Sequence, residues 1–198
     1  DHAAAVRITY SDKTSIANVI FDSYSSSGDI KTGGNITFDG NSFSAYTDYS
    51  VKNVAVQSGF NRMYVYGEFV GISPESVTNF SDSRGRPFAV AQFASSTKVL
   101  EMRFATSYIS VEQAKKNLQL EISEGASFDS VLSDAKALWN EILNTVEVKG
   151  ASEQELCRLY SSLYKMFLFP KNYSENTGTA ELPVFKYCSP YSGSDDNP

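Results

Sequence analysis

One change of rhythm constrains this chain more than any other feature. Up to Tyr108 apolar side chains recur at every second residue, and beyond Ser110 they recur every three to four. The first period belongs to strands, whose successive side chains point to opposite faces, and the second to helices. Alternation is clearest in Met63-Tyr64-Val65-Tyr66-Gly67-Glu68-Phe69 and in Val99-Leu100-Glu101-Met102-Arg103-Phe104. It predicts one face on a core and the other toward solvent. Strands are expected from Val6 to Tyr10, Ala17 to Phe21, Ile36 to Phe38, Ser42 to Tyr46, Arg62 to Val70, Phe88 to Phe93 and Lys98 to Tyr108, each bounded by Gly, Ser, Asp or Pro. Gly33-Gly34, Asp39-Gly40-Asn41 and Ser83-Arg84-Gly85-Arg86-Pro87 supply turn chemistry between them. No helix follows these glycines, so none forms a phosphate-binding loop. Antiparallel sheets packed as a sandwich are the expected result.

The helical half opens on Ser110-Val111-Glu112-Gln113, a capping box in which the Ser110 hydroxyl accepts from the Gln113 N–H while the Gln113 side chain reaches back. A helix is expected from Val111 to about Glu121, with a break at Glu124-Gly125. A second carries the stripe Phe128, Val131, Leu132, Ala135, Leu138, Trp139, Ile142, Leu143 and Val146, which predicts a continuous helix to Val146 that buries Trp139 and Leu143. Trp139 shares that face with aliphatic residues and reads as core before sugar platform. A third helix follows the cap signal Ser152-Glu153-Gln154-Glu155, carries an apolar face from Leu156 to Leu168 and ends at Pro170. Residues 171–198, rich in Ser, Asn, Gly, Tyr and Pro, read as loop.

Composition removes whole classes of chemistry. The formal charge is −6 with a pI near 4.8, and no basic run occurs, so neither nucleic acid nor an anionic membrane is a natural partner. The sole histidine, His2, stands at the very start of the sequence, where fraying is expected; a Ser-His-Asp triad, a Cys-His dyad or a His-built zinc site has no other histidine to use. Cys157 and Cys188 have no CxxC spacing, which leaves two thiols or one disulfide. The apolar helical pattern around Cys157 favours a buried free thiol. Asn35-Ile36-Thr37, Asn79-Phe80-Ser81 and Asn172-Tyr173-Ser174 are acceptor sequons, so Asn35, Asn79 and Asn172 are candidate glycan sites in a eukaryotic secretory protein. No apolar run is long enough for a membrane span and no signal-peptide pattern opens the chain, which is expected to begin mid-sequence or after processing.

Four ordered motifs carry a resemblance. Ala105-Thr106-Ser107-Tyr108-Ile109-Ser110-Val111-Glu112-Gln113-Ala114-Lys115-Lys116-Asn117-Leu118 is similar to the join of the two domains in glycoside hydrolase family 92, the exo-acting α-mannosidases. Phe128, Ala135 and Trp139-Asn140-Glu141-Ile142-Leu143, followed by Val146-Glu147-Val148-Lys149-Gly150, resembles the family's linker helix and the return to its barrel. Leu159-Tyr160-Ser161-Ser162-Leu163-Tyr164-Lys165-Met166-Phe167-Leu168-Phe169-Pro170 resembles the first barrel helix, and Tyr187-Cys188-Ser189-Pro190-Tyr191-Ser192-Gly193 the loop after it. From residue 5 to 103 the likeness is looser, resting on strand pattern and on Ser58-Gly59-Phe60.

The resemblance implies an α+β chain: the later part of an antiparallel β-sandwich over 1–108 (part of a supersandwich), a helical linker over 109–150, and over 151–198 the start of a truncated (α/α)6 catalytic domain. It implies inverting hydrolysis of terminal mannose from glycans, with an acid and a base held roughly 6.5–9.5 Å apart. It also implies calcium in the barrel cleft and a secreted, periplasmic or cell-surface location. The family's Trp-Asp segment, catalytic acid, base and calcium ligands follow the point corresponding to Gly193, and none of those motifs occurs here. No catalytic residue or metal ligand is therefore carried over, and the substrate-binding residues stay unassigned. Asp195-Asp196, Glu153 and Glu155 read as solvated or capping charges. Tyr46, Tyr49 and Phe60 could line a sugar site, but with 13 Phe and 12 Tyr most such rings are core. A non-catalytic carbohydrate-binding or assembly module with the same sandwich is the alternative. Under either reading, the remainder of the parent protein or another chain must cover the face from Leu156 to Leu168.

Overall fold

The computed structural model describes residues 2–12, 16–22, 30–51, 62–81, 87–168 and 172–188. Its strands are β1 (Ala3–Thr9), β2 (Ala17–Asp22), β3 (Ile30–Asp39), β4 (Ser42–Val51), β5 (Arg62–Phe69), β6 (Ser76–Ser81), β7 (Pro87–Phe93), β8 (Val99–Ser107), β9 (Glu175–Asn176) and β10 (Phe185–Lys186). The helices are α1 (Val111–Glu121), α2 (Phe128–Leu143) and α3 (Glu153–Leu168). The chain is α+β, as expected. Contacts divide it into two units, one of residues 1–125 with 174–198 and one of residues 126–173.

In the first unit a five-stranded antiparallel sheet runs β1-β8-β5-β4-β3 and a three-stranded one runs β2-β7-β6. Their facing sides share one core: Phe43, Phe69 and Leu100 from the larger sheet meet Ala17, Val19, Ala91 and Phe93 from the smaller. The Phe21 ring lies 4.7 Å from that of Phe43, and Phe69 stands edge-on to Phe93 at 4.8 Å. Rings from opposite sheets thus interdigitate, each such pair adding about 0.5–1.5 kcal/mol beyond area burial. Gly67 makes the layer possible. In register it sits between Phe43 on β4 and Phe104 on β8, and a Cβ there would fall 2.3 Å from Phe43 Cζ.

The other side of the larger sheet is not left to solvent, contrary to the simple alternation. Helix α1 packs on β8 and β5 there, burying Ala105 and Ser107 of the sheet together with Ala114, Asn117 and Leu118 of the helix. The Asp39-Gly40-Asn41 turn is present between β3 and β4, with Gly40 at φ 58°. Gly33-Gly34 is not a turn. It lies inside β3 opposite Asp48 and Thr47, where a Cβ on Gly34 would come 2.4 Å from the Tyr46 carbonyl oxygen. Strand β6 has no counterpart among the expected strands, because Ser76-Val77-Thr78-Asn79-Phe80-Ser81 is mostly polar and acquires its form by pairing with β7. The Ser83 to Arg86 turn, Ser58-Gly59-Phe60 and Pro170 lie outside the described residues.

The second unit is a pair of helices. Ser127 caps α2 by accepting from Ser130 N, and Ser152 and Glu155 form a reciprocal box at α3: Ser152 N donates to Glu155 Oε2 at 2.8 Å and Glu155 N to Ser152 Oγ at 3.4 Å. Tyr164 lies against Trp139 at 4.5 Å between ring centres, and the Tyr160 hydroxyl donates to the Val146 carbonyl. Two expectations need correction. Helix α2 ends at Leu143, not Val146, because three-residue turns at Thr145 and Val146 tighten the chain after Asn144. Trp139 and Leu143 are half-buried, and no residue of α2 or α3 is fully buried, since one neighbouring helix cannot cover so broad a stripe.

Candidate functional site

Positions 64, 66 and 68 of β5 face away from the inter-sheet core, since Gly67 and Phe69 face into it. Tyr64 pairs with Tyr46 and Ser107, Tyr66 with Ser44 and Ala105, and Glu68 with Arg103. The result is a ridge of tyrosines beside α1. The Arg62 guanidinium lies 4.5 Å from the Tyr46 ring centre, and Lys115 Nζ of α1 lies 5.2 Å from that of Tyr66. Glu68 Oε1 accepts from Arg103 Nε at 2.5 Å, and Arg103 NH1 donates to the Ser123 carbonyl. A cleft of about 420 Å³ opens over Tyr66, Glu68, Arg103, Lys115 and Gln119. A second of about 430 Å³, lined by Asp39, Ser44 and Glu112, meets it at Tyr66 and Lys115. These walls offer hydrogen bonds and an aromatic edge to a polar ligand. In the first cleft the Glu68 carboxylate is engaged by Arg103.

A buried polar seam lies where β8 turns into α1. Glu175 of β9 is 0% exposed. Its Oε1 accepts from Tyr108 N at 2.7 Å and its Oε2 from Asn117 Nδ2 at 2.8 Å. Asn117 Nδ2 also donates to the Thr106 carbonyl, while Asn117 Oδ1 accepts from Gln113 Nε2, which in turn donates to the Asn176 carbonyl. Lys116 Nζ donates to the Thr177 carbonyl. Residues 172–188, read from sequence as loop, therefore contain a short hairpin of β9 and β10 held on α1. Half of the expected capping box at α1 is present: Ser110 Oγ accepts from Gln113 N at 3.1 Å. The return bond is absent, because Gln113 is drawn to Asn117 and Asn176 while Ser107 Oγ accepts from Ser110 N. Nothing local distinguishes Glu175 within its Ser- and Asn-rich run, so sequence reasoning missed it.

The sequence-derived candidates scatter. Asn35 and Asn79 are exposed on β3 and β6 and line one groove with the stacked rings of Phe80 and Phe88, 5.1 Å apart; Asn172 is exposed elsewhere. Cys157 is exposed on α3, which corrects the expectation of a buried thiol, and Cys188 is half-buried. The apolar face that α3 presents runs through Leu156, Leu159 and Leu163, and position 157 falls beside it. Tyr46 is half-buried, whereas the Tyr49 side chain, Phe60, Ser189, Pro190, Asp195 and Asp196 are outside the described residues. Glu153 and Glu155 are exposed, and hydrogen bonds from Ser152 hold the Glu155 carboxyl below its ordinary range. His2 is tied down, not frayed: His2 N and Ala3 N both donate to Glu121 Oε2, and Thr106 N donates to the His2 carbonyl. Among the described residues no group of three or more His, Cys, Asp or Glu side chains is placed to hold a metal ion.

Residues 113–198 match the model of the glycosyl hydrolase family 92 catalytic domain. Among solved structures, the family 92 inverting mannosidase BT2199 of Bacteroides thetaiotaomicron is 25% identical, over 98% of this chain and 26% of its own length, with a TM-score of 0.80. The α-mannosidase BT3965 of the same organism, solved with mannoimidazole, is 15% identical over 88% of this chain and 24% of its own, with a TM-score of 0.68. The family 92 glycosyl hydrolase ccman5 is 18% identical over 93% of this chain and 27% of its own, with a TM-score of 0.69. The latter two likenesses speak for the fold alone. This chain spans about a quarter of the length of these enzymes. No match was found among curated proteins.

Proposed function

We propose, from the glycoside hydrolase family 92 segment that this chain carries, that the protein is part of an α-mannosidase that removes terminal mannose from glycans by inverting hydrolysis. In this reading residues 1–108 are the later part of the amino-terminal sandwich, 109–150 the linker and 151–198 the start of the (α/α)6 domain. The single observation that carries it is the likeness to the BT2199 mannosidase across nearly the whole chain, at 25% identity and a TM-score of 0.80. The segment alone is inactive, since the acid, the base and the calcium ligands belong to the part of the enzyme that follows it. The exposed apolar residues of the helix pair support the barrel reading. Leu138 on α2 and Met166, Phe167 and Leu168 on α3 are solvent-exposed, and covering four such side chains is worth roughly 6–12 kcal/mol. The rest of the barrel is their natural cover. No described helix is long and apolar enough to cross a membrane, and an exported enzyme, periplasmic, secreted or displayed at the cell surface, fits a glycan substrate.

The test is the full-length protein. It should release mannose from an aryl α-mannoside with calcium present, proton NMR should show the β-anomer first, and chelation should abolish turnover. A full-length protein that binds mannosides without cleaving them, or whose later residues lack the paired carboxylates, would replace this reading with the non-catalytic module.

A further inference from the structure

The seam around Glu175 has a direction. Backbone carbonyls only accept hydrogen bonds. The Asn176 carbonyl therefore requires the Gln113 amide to present its NH2 group, which leaves Asn117 Oδ1 as the acceptor for Gln113. The Thr106 carbonyl fixes the same orientation of Asn117 independently, by taking its Nδ2. With both amides locked, Asn117 Nδ2 and Tyr108 N aim two donors at residue 175. That position needs two acceptors, in a site with no access to water. A carboxylate satisfies both donors; a glutamine would meet one of them with its own NH2 group.

We propose that Glu175 is a positioning residue, the buried acceptor of a polar latch that holds the segment after α3 in one register on β8 and α1. The turn from β8 into α1, α1 itself and the distant β9 meet at this carboxylate, and the segment it holds carries Leu182, Val184, Phe185 and Tyr187 outward, all exposed. Bonds from Thr177 N to the Val184 carbonyl and from Thr179 N to the Leu182 carbonyl close the hairpin above the latch. A hairpin held this way meets whatever covers it as a preformed platform. The claim that the latch also sustains turnover rests on the mannosidase reading; the latch itself does not.

Hydrogen–deuterium exchange on the 198-residue chain tests it. In Glu175→Gln the amides of Tyr108, Thr177 and Thr179 should exchange about tenfold faster or more, with β4 and β5 amides at wild-type rates. Unchanged hairpin exchange in Glu175→Gln, or uniform loss across the sheet, would overturn the latch. In the full-length enzyme, Glu175→Gln should lower kcat about fivefold or more without altering the shape of the pH–rate profile. Wild-type turnover in that variant would overturn the positioning role in turnover. A full-length protein with no mannosidase activity would instead refute the mannosidase reading, and the exchange data would still decide the latch.

Discussion

Substituting alanine at Gly67 is the sharpest test of the sandwich core. A strand-interior glycine ordinarily costs about 0.5–1 kcal/mol relative to alanine, so backbone entropy alone predicts that Gly67→Ala stabilises. The structure predicts the reverse. The added methyl would sit 2.3 Å from Phe43 Cζ and 2.7 Å from Phe104 Cβ. The Phe104 Cβ cannot move without its strand. The Phe43 ring is hemmed in by Phe21, Phe38 and Phe69, at centroid distances of 4.7, 6.1 and 5.5 Å. Overpacking of this kind costs about 1–3 kcal/mol or more, which exceeds the entropic gain. A net loss of about 1–2 kcal/mol follows, and at about 2–4 °C per kcal/mol for a chain of this size the melting temperature should fall by roughly 2–8 °C. Thermal unfolding followed by circular dichroism measures it. A double-mutant cycle with Phe43→Leu, which trims the clashing ring, should show coupling of at least about 0.5 kcal/mol in the relieving direction. An unchanged or raised melting temperature in Gly67→Ala, or strict additivity in the cycle, would refute the packing argument.

Trp139→Ala should destabilise the helix pair by about 1–2 kcal/mol in urea unfolding, below the roughly 3–5 kcal/mol of a fully buried aromatic, because Trp139 is only half-buried against Tyr164. The Glu155 carboxyl is depressed in the folded state by its Ser152 hydrogen bonds. Its cap therefore contributes stability above the ordinary glutamate range and loses it as pH falls through the lower folded value; Glu155→Gln should flatten that part of the acid-unfolding curve followed by helical circular dichroism. The 198-residue chain should neither turn over an aryl α-mannoside nor show calcium binding by titration calorimetry, since a calcium site needs about six to eight converging oxygens. Calcium-dependent turnover by the chain alone would refute that. In the native state a maleimide should label Cys157 on its exposed face of α3, with mass spectrometry of the peptide as the readout.

The sequence alone determined what depends on neighbours along the chain. The shift of period at Tyr108 marks the end of β8 at Ser107 and the start of α1 at Val111, because alternation and helical spacing are properties of a few consecutive residues. Ser110 and Ser152 announce two of the three helix starts for the same reason: a hydroxyl reaches an amide three residues on without help from the rest of the molecule. The helices from within α1 onward were also legible as a family pattern.

Only the tertiary structure decided how those pieces are completed. The Gln113 side chain abandons Ser110 because a carbonyl brought in from Asn176 competes for it, and no local window contains that competitor. The polar β6 becomes a strand because β7 lies beside it, and Gly34 is required by the approach of Tyr46 across the hairpin and not by a turn. The stripe on α2 shows which face is apolar but not how much covers it, so Trp139 was expected deeper than it lies. Glu175 is the extreme case. An acidic residue in a polar run becomes a buried acceptor only when β8, α1 and the segment after α3 converge, and hydrogen bonds that join residues so far apart leave no periodic trace in the chain.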